Sequence, residues 1–463
     1  MEDFLFNEFD TLTPAAWKQK IQVDLKGEDY NETLIWKSNE GIDVKPFYSA
    51  EDRHTNTIPL AKNGYKICQS IFVDDVIIAN KLAVDSINRG ASAIQFVANS
   101  TFDHKLLFSN IDTEEIFIYL NFEFLNAVFV SEIKDYCKSN CLYFQIDIIG
   151  NLAKTGNWFF NLKSDLKEKN KYIQSVNNSI CVNASLYQNA GASIIQELAY
   201  ALAHTNEYIE LFGKSIAPKI HYTFSIGSNY FFEIAKLRAF RLLVDALLTE
   251  HGVKSTPIHI FTKPSLRNKT IYDYNVNMLR TTTECMSAIL GGTDTISNIS
   301  YDSIYHKSNE FGERISRNQL LILKEEAYLS EAHKFANGAY YIENIEKQFA
   351  EKALQLFKQI EKSGGFLKQL KKGVIQNKIS ENAKKQQTQF DQNEIILLGT
   401  NKLTSENDCM KNELQIYPFL KKKNTKTLIA PILQKRLADQ LEQKRLKMEF
   451  IQTKNAPAAI PCK

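Results

Sequence analysis

Short apolar runs alternate with longer amphipathic runs along the chain from Tyr65 to about Asn298. The segments between the short runs have helical spacing, as in Ile194–Ala203, where apolar residues recur at three- and four-residue steps. The short runs are rich in β-branched residues and predict eight strands: Tyr65–Val73, Ala91–Ala98, Glu115–Phe122, Cys141–Ile149, Ser179–Ser185, Lys219–Ile226, Thr256–Phe261 and Thr293–Ile299. Eight strand–helix units predict an α/β fold of the TIM (β/α)8 barrel type. A doubly wound open sheet is the alternative, because periodicity alone does not show closure.

The segments that flank the barrel predict an arm and a helical extension. We expect an N-terminal arm over residues 1–64, the barrel over 65–335, and a C-terminal helical extension and linker over 336–463. In the arm, Thr13-Pro14 is typical of a helix start, and Thr33–Val44 predicts an extended piece. The arm carries aromatic residues that predict burial against the barrel or a partner: Phe4, Phe6, Phe9, Trp17, Trp36, Phe47 and Tyr48.

Beyond the barrel, the spacing predicts long helices over about Glu310–His333 and Glu343–Lys362, and a solvated helix and linker over Gly373–Gln392. Near the end of the chain, apolar residues recur every four positions among basic ones, at Ile429, Leu433, Leu437 and Leu441. This pattern predicts a basic amphipathic helix. Packing on a protein partner is favoured over a membrane surface, because the apolar face is only one residue wide.

Composition narrows the class of protein. Hydrophobic residues make up 44% and charged residues 24% of the chain, which is enough for a large core. The net charge of +3 argues against a general nucleic-acid binder. The N-terminus lacks the pattern of a secretory signal, no apolar run approaches a membrane span, and the seven cysteines are scattered. We therefore expect a cytoplasmic protein with reduced thiols, and Cys137 and Cys141 alone do not predict a metal site.

Individual polar residues give weak functional signals. Gly291-Gly292-Thr293 would suit either a phosphate cradle or a plain turn, and a turn is favoured. His221 and His259 lie in predicted strands, and hydrogen-bonded core histidines are favoured over ligands. Asp147 is expected on the fourth strand near the barrel mouth, where catalytic residues usually lie, but no partner base is apparent.

Several longer motifs, in order along the chain, carry a family resemblance. They are Asp24–Gly27, Thr33–Trp36, Gly41–Pro46, Asn275–Gly292, Arg314–Glu326, Asn337–Glu343 and Ile396–Lys402. Together they resemble the methylmalonyl-CoA mutase family. The resemblance implies a TIM barrel and a radical rearrangement of a short acyl-CoA started by adenosylcobalamin, with the protein binding and shielding that cofactor.

The same comparison shows where this chain departs from the catalytic members of the family. Aligning Gln188 and Ala190–Ala192 with the family's Tyr-His-x-Gln-Glu-Ala-Gly-Ala stretch places Leu186 at the catalytic histidine, and leucine can donate neither a proton nor a hydrogen bond. Asp52–Lys66 lacks the Trp-Thr-Ile-Arg core that lines the family's substrate channel. The resemblance therefore implies no catalytic residue in this chain.

The family's cobalamin domain is also not expected here. The resemblance implies a cobalt-ligating histidine in an Asp-x-His-x-x-Gly motif on a C-terminal flavodoxin-like domain. The last histidine is His333, and residues 403–463 are too few for such a domain. Asp52–Thr57 nearly copies the motif but ends in threonine and lies in the arm, so we interpret it as coincidence. No cofactor-binding or metal-binding residue is predicted.

This combination resembles the non-catalytic small subunit of the family's bacterial heterodimeric enzymes. It implies a catalytic large subunit as partner, which would bind the adenosylcobalamin and interconvert succinyl-CoA and (R)-methylmalonyl-CoA. One alternative is a barrel subunit of another acyl-CoA mutase that uses a separate cobalamin-binding chain. Another is a barrel repurposed for non-enzymatic binding.

Overall fold

Eight parallel strands form the centre of the molecule. The structure, a computed structural model, describes residues 8, 12–53, 58–60, 64–254, 257–331, 334–405, 407–420 and 426–455. The strands are β1 (Lys66–Phe72), β2 (Ala93–Ala98), β3 (Phe117–Phe122), β4 (Leu142–Phe144), β5 (Ile180–Asn183), β6 (Ile220–Ile226), β7 (His259–Pro264) and β8 (Thr295–Ile296). They pair in the order β4-β3-β2-β1-β8-β7-β6-β5. Because β1 pairs with β8 and the two edge strands are consecutive in sequence, the sheet curls into a nearly closed barrel, and the TIM-barrel prediction is confirmed.

The seam between β4 and β5 is bridged by other contacts. The backbone nitrogen of Phe144 donates to the carbonyl of Asn178 at 3.0 Å. The fully buried Lys169 Nζ donates to the carbonyl of Ile146 at 2.9 Å and to that of Ser179 at 2.6 Å. Burial lowers the pKa of Lys169 to about 7. The side chain thus joins the two edges of the barrel.

Strand ends differ from the predictions where a helix cap intervenes. Ile148-Ile149 was expected in the fourth strand but starts a helix, because the Asp147 side chain accepts a hydrogen bond from the nitrogen of Gly150. Ser185 likewise belongs to a short helix and not to β5. The seventh strand begins at His259 and runs to Pro264, and β8 is only two residues long.

Helices cover the outside of the barrel. Those following β1 to β8 are Val76–Asn88; His104–Leu107; Ala127–Cys137; Ile148–Thr155 and Leu162–Ile173; Ser185–Asn189 and Ile194–Phe212; Tyr230–Glu250; Val276–Leu290; and Glu310–Leu321. Short 3₁₀ helices lie at Ala50–Asp52, Lys214–Lys219 and Leu329–Glu331, and a π turn spans Ile322–Glu326. Helix Tyr340–Lys362 packs across Ile194–Phe212 and Tyr230–Glu250, where Arg238 Nε donates to Glu346 Oε2 at 2.8 Å.

The N-terminal arm lies outside the barrel with part of its aromatic surface uncovered. Its elements are the helices Pro14–Asp24 and Tyr30–Thr33 and an antiparallel pair, Trp36–Lys37 with Asp43–Val44. As predicted, Thr13 caps the first helix, accepting from the nitrogen of Ala16 at 3.2 Å. Trp36 stacks on Phe232 yet is 51% exposed, and Trp17 is 49% exposed. Within this chain these two rings are therefore only half covered, and their burial against a partner stays a prediction. Phe4, Phe6 and Phe9 lie outside the described residues.

The C-terminal part is helical, but its helices begin and end at different residues from those predicted. The first post-barrel helix stops at Leu321, and the later helices are Phe366–Lys371, Val374–Asp391 and Asp439–Asn455. Ile429, Leu433 and Leu437 lie in an irregular segment before the last helix, so the amphipathic helix expected there is wrong. Pro431 lies in this segment and disfavours helical backbone at Ala430, the residue before it.

Candidate functional site

The carboxyl ends of the barrel strands carry a polar layer inside the barrel, at the face where TIM barrels place their functional residues. Ser70 Oγ donates to Gln95 Oε1 at 2.9 Å, and Gln95 Nε2 donates to Gln145 Oε1. Gln145 Nε2 in turn donates to Thr223 Oγ1 at 3.4 Å, and Lys263 Nζ also donates to Gln95 Oε1. These side chains come from β1, β2, the end of β4, β6 and β7, so the layer crosses the barrel. Sequence reasoning missed it, although a lysine and two glutamines in otherwise apolar strands were a visible signal.

Below this layer, aromatic rings fill the barrel axis. Tyr119 on β3 reaches across to His259 on β7, with its hydroxyl 2.7 Å from Nε2. The Tyr143 and His259 rings lie 4.3 Å apart, and Phe261 packs on Tyr119 with a centroid distance of 4.7 Å. Burial lowers the pKa of His259 to about 4, so its imidazole is neutral at pH 7. The interpretation of His259 as a hydrogen-bonded core histidine is confirmed.

His221, on the neighbouring strand β6, is also a hydrogen-bonded core histidine. Its Nε2 lies 3.2 Å from the carbonyl of Phe144, and the side chain is fully buried. Burial lowers the pKa of His221 to about 3, with a smaller contribution from the neighbouring His259. Neither histidine therefore faces the barrel mouth, and both stabilise the interior.

Leu186 lies in the short helix Ser185–Asn189, directly after β5, and belongs to the main hydrophobic core with an exposure of 2%. The polar residues that follow it bond to neighbouring strand ends. Asn189 Nδ2 donates to Ser225 Oγ at 2.8 Å, and Ser265 Oγ donates to Gln188 Oε1 at 2.8 Å. This stretch thus makes packing and hydrogen-bond contacts within the chain. That Leu186 occupies the family's histidine position stays a prediction from the alignment.

Asp147 lies just beyond β4 and has partners that the sequence did not reveal. Its carboxylate accepts from Tyr208 Oη at 2.6 Å and from the nitrogen of Asn183 at 2.9 Å, and it lies 3.1 Å from His204 Nε2. Burial alone would raise the pKa of Asp147, but His204 and these hydrogen bonds outweigh it and lower the pKa. His204 is fully buried, so the group is a closed network that fixes the β4–β5 region.

The remaining candidate residues lie at the other end of the barrel or on its surface. Gly292 follows helix Val276–Leu290 in a tight turn with φ +82°, and its carbonyl accepts from Arg241 Nη2 at 2.6 Å. Gly291-Gly292-Thr293 is therefore a buried turn before β8. Among the described residues, Cys137 and Cys141 belong to no cluster of His, Cys, Asp and Glu able to hold a metal. His54–Thr57 and His333 lie outside the described residues.

The described residues after the barrel do not fit a cobalamin-binding domain of the flavodoxin-like type. Such a domain is built on a parallel sheet, whereas the described residues beyond β8 form helices, irregular segments and one isolated bridge, Leu398 with Lys402. No helix in the described part of the chain is both long and apolar enough to span a bilayer.

Comparison with known proteins identifies the family to which the chain belongs. The sequence profile described as methylmalonyl-CoA mutase matches residues 96–459. A methylmalonyl-CoA mutase small subunit from Porphyromonas gingivalis is 31% identical, covering 96% of this chain and 78% of that protein. Methylmalonyl-CoA mutases from Cereibacter sphaeroides and Rhizobium meliloti are 28% and 27% identical, over 84% and 87% of this chain. The chain spans only 64% and 66% of the length of those two relatives. This chain belongs to the methylmalonyl-CoA mutase family.

Proposed function

We propose that this chain is the non-catalytic small subunit of a heterodimeric methylmalonyl-CoA mutase. In this proposal a large subunit binds adenosylcobalamin and the acyl-CoA and interconverts succinyl-CoA and (R)-methylmalonyl-CoA. This chain is inactive alone and acts in the cytoplasm as the structural partner of the large subunit. The proposal also divides the chain into the arm at residues 1–64, the barrel at 65–335 and the helical extension at 336–463.

The observation that carries the proposal is the apolar burial of Leu186. The alignment places it where the catalytic members have a histidine, and its side chain is packed in the core. A proton donor for a thioester carbonyl must lie within hydrogen-bond reach of that carbonyl and must carry a proton. Leucine meets neither requirement, so general acid catalysis from this position is not available.

The filled barrel axis supports the same conclusion. Tyr119, Tyr143, His259 and Phe261 occupy the centre of the barrel with ring contacts of 4.3–5.9 Å. An acyl-CoA is long and needs an open groove or channel to place its acyl end at a barrel mouth. Opening this axis would expose several buried aromatic side chains, each of which contributes about 1.5–3 kcal/mol when buried.

The arm supports the presence of a protein partner. Trp17 and Trp36 are large, half-exposed aromatic residues on the same arm, and helix Pro14–Asp24 buries none of its residues. Tryptophan anchors are typical of the energetic centre of protein interfaces. We assign the exposed apolar residues of the arm, Leu12, Trp17, Val23 and Trp36, to contact with the large subunit.

Reconstitution tests the proposal. Purified large subunit is assayed for succinyl-CoA rearrangement with adenosylcobalamin, alone and with increasing amounts of this chain. We expect activity and thermal stability of the large subunit to rise until the two chains are equimolar, while this chain alone shows no turnover. A large subunit that is equally active and stable without this chain would refute the proposal.

A matched pair of variants locates the contact. Trp17→Ala should weaken association of the two chains by at least tenfold, because it truncates a candidate interface anchor. Phe160→Ala, which truncates an exposed aromatic residue in the loop between helices Ile148–Thr155 and Leu162–Ile173, serves as the control and should leave association unchanged.

A further inference from the structure

A side cavity opens into the barrel between β1 and β8. These two strands pair only at Lys66 with Thr295 and at Ile67 with Ile296, and beyond these pairs they diverge. The gap leads into a cavity of about 530 Å³ bounded by β1, helix Val76–Asn88 and helix Glu310–Leu321. Its apolar lining consists of Ile71, Phe72, Leu82, Val97 and Ile299. The cavity lies beside the filled axis and not along it.

Two cations line this cavity without a carboxylate partner. Lys263 Nζ donates to the amide oxygen of Gln95, and Arg317 Nη1 donates to Gln69 Oε1 at 3.0 Å. Within the described residues, no carboxylate oxygen lies within 4.0 Å of either cation. Five other buried cations are paired with carboxylates: Lys236, Arg238, Arg241, Lys269 and Arg436. Lys169 and Arg267 are also buried without a carboxylate, but each donates two hydrogen bonds to carbonyl or amide oxygens. Lys263 and Arg317 each donate one such bond and face the cavity, and a cation with few partners is costly to bury.

Unused hydrogen-bonding atoms lie at the same place. Arg317 Nε is buried and has no hydrogen-bond partner, and the same holds for Ser297 Oγ, whose side chain is fully buried at the end of β8. Lys263 and Ser297 are both inward-facing, since they continue the alternation of His259 and Phe261 on β7 and of Thr295 on β8. Arg317 Nε and Ser297 Oγ therefore lie unpartnered on two residues that line the cavity.

The acidic residues that line the cavity, Asp85, Glu310 and Glu313, make no ion pair with these cations in the described part of the chain. Glu313 accepts from Ser308 Oγ at 2.8 Å. Burial raises the pKa of its carboxyl, although the nearby Arg317 and Lys263 act in the opposite direction. Asp85 pairs with Arg89 at 2.9 Å on the exposed rim, and Glu310 lies 3.8 Å from Arg89. The cavity thus presents two cations that make no ion pair within the described residues, and its walls are mainly apolar.

We propose that this cavity binds a small organic carboxylate with a short apolar chain. The carboxylate meets Lys263 and Ser297 Oγ at the inner end, and Arg317 adds to the positive field. The apolar chain extends toward the opening along Ile71, Leu82 and Val97. The site belongs to this chain alone, so it does not depend on the proposed role as a mutase subunit.

Calorimetric titration tests this proposal on the full chain in the assembly in which it purifies. The probes are hexanoate, its uncharged isostere hexanamide, and inorganic phosphate. We expect saturable binding of hexanoate that is at least tenfold tighter than that of hexanamide or phosphate, because the site pairs a planar anion with an apolar chain. No saturable binding, equal binding of the amide, or tighter binding of phosphate would overturn it.

Three variants assign the binding to this cavity. Lys263→Met removes the inner cation and should weaken hexanoate binding at least tenfold. Because it removes an unpaired buried charge, it should not lower the thermal midpoint. Leu82→Trp, on the half-exposed wall, should block the opening and give the same loss without changing the charge. Lys105→Met, at an exposed lysine, is the control and should bind like the wild type. Binding that survives both Lys263→Met and Leu82→Trp would refute the assignment.

Discussion

The Glu40 carboxylate in the N-terminal arm accepts a hydrogen bond from the backbone nitrogen of Ile194 at 2.5 Å. Ile194 is the first residue of helix Ile194–Phe212, which follows the stretch around Leu186. The carboxylate satisfies a free N–H group at the positive end of that helix. Glu40 lies between the paired segments Trp36–Lys37 and Asp43–Val44 of the arm, so this contact attaches that part of the arm to the barrel. It also places Glu40 beside the buried Glu233 and Lys236.

Replacing Glu40 should change how stability depends on pH. Burial raises the pKa of Glu40 to about 7, above its value in the unfolded chain. The folded state therefore binds more protons than the unfolded state between about pH 4.5 and 7, and the free energy of unfolding falls as pH rises through that window. Glu40→Gln should remove this loss, which is at most about 1.4 kcal/mol per pH unit. Urea unfolding at pH 5, 6 and 7 measures it.

The control for this prediction is Glu51→Gln, at an exposed glutamate of the same arm. Its stability should run parallel to that of the wild type over the whole range. If Glu40→Gln also ran parallel to the wild type, Glu40 would not be the titrating group.

The buried Lys169 should give the opposite dependence of the free energy of unfolding on pH, in a higher pH range. Burial depresses its pKa to about 7, so above pH 7 the folded state has lost a proton that the unfolded lysine retains up to about pH 10.4. Stability should therefore rise with pH in this window, by up to about 1.4 kcal/mol per pH unit. Lys169→Met should flatten the slope between pH 7.5 and 9.5, whereas Lys163→Met, at an exposed lysine of the same helix, should not. Equal slopes in both variants would argue against a buried lysine at the β4–β5 seam.

Restoring a histidine at position 186 should not restore catalysis. Leu186 is packed in the core, so Leu186→His buries a polar ring and should cost about 1–3 kcal/mol of stability. Leu186→Met keeps the volume and should cost less than about 1.5 kcal/mol. Neither variant should rearrange succinyl-CoA when supplied with adenosylcobalamin. Turnover by Leu186→His alone would show that the rest of an active site survives in this barrel.

Arg436 should be structural, although the sequence placed it in a basic, partner-facing helix. Its guanidinium pairs with Glu442 at 2.6 Å and with Asp439 at 2.8 Å, and all three side chains are buried. Arg436→Met leaves two buried carboxylates unpaired and should cost about 3–5 kcal/mol in urea unfolding. Lys444→Met, at an exposed lysine of the last helix, should change stability by less than about 0.5 kcal/mol. A mild effect of Arg436→Met would mean that this segment is not packed as described.

The barrel could be predicted because each strand is a short apolar, β-branched run, as in Ile220–Ile226, and such runs depend only on neighbouring residues. Errors arose where one polar or rigid residue overrides the pattern. Asp147 turns an apolar Ile-Ile pair into a helix start, and Pro431 disfavours helix at Ala430, between Ile429 and Leu433. Each of these effects comes from a single residue. In a single sequence such a residue is a weaker signal than hydrophobic periodicity, although it decides the local structure.

The side cavity could not be predicted in the same way. Lys263 and Gln95 are 168 residues apart and meet only because the barrel closes. Arg317 approaches β1 from a helix that follows β8, over a separation of 248 residues from Gln69. The sequence showed that each residue is charged or polar, but whether a carboxylate lies near it depends on the tertiary fold.

The subunit assignment is tested most directly by isolating the tagged full chain from its native cells and weighing what remains bound. The account predicts a stoichiometric complex with one larger chain that carries an Asp-x-His-x-x-Gly motif and mutase activity. That complex should dissociate more readily when Trp17 is replaced by alanine. Recovery of this chain alone and monodisperse, while mutase activity elutes elsewhere, would contradict the account.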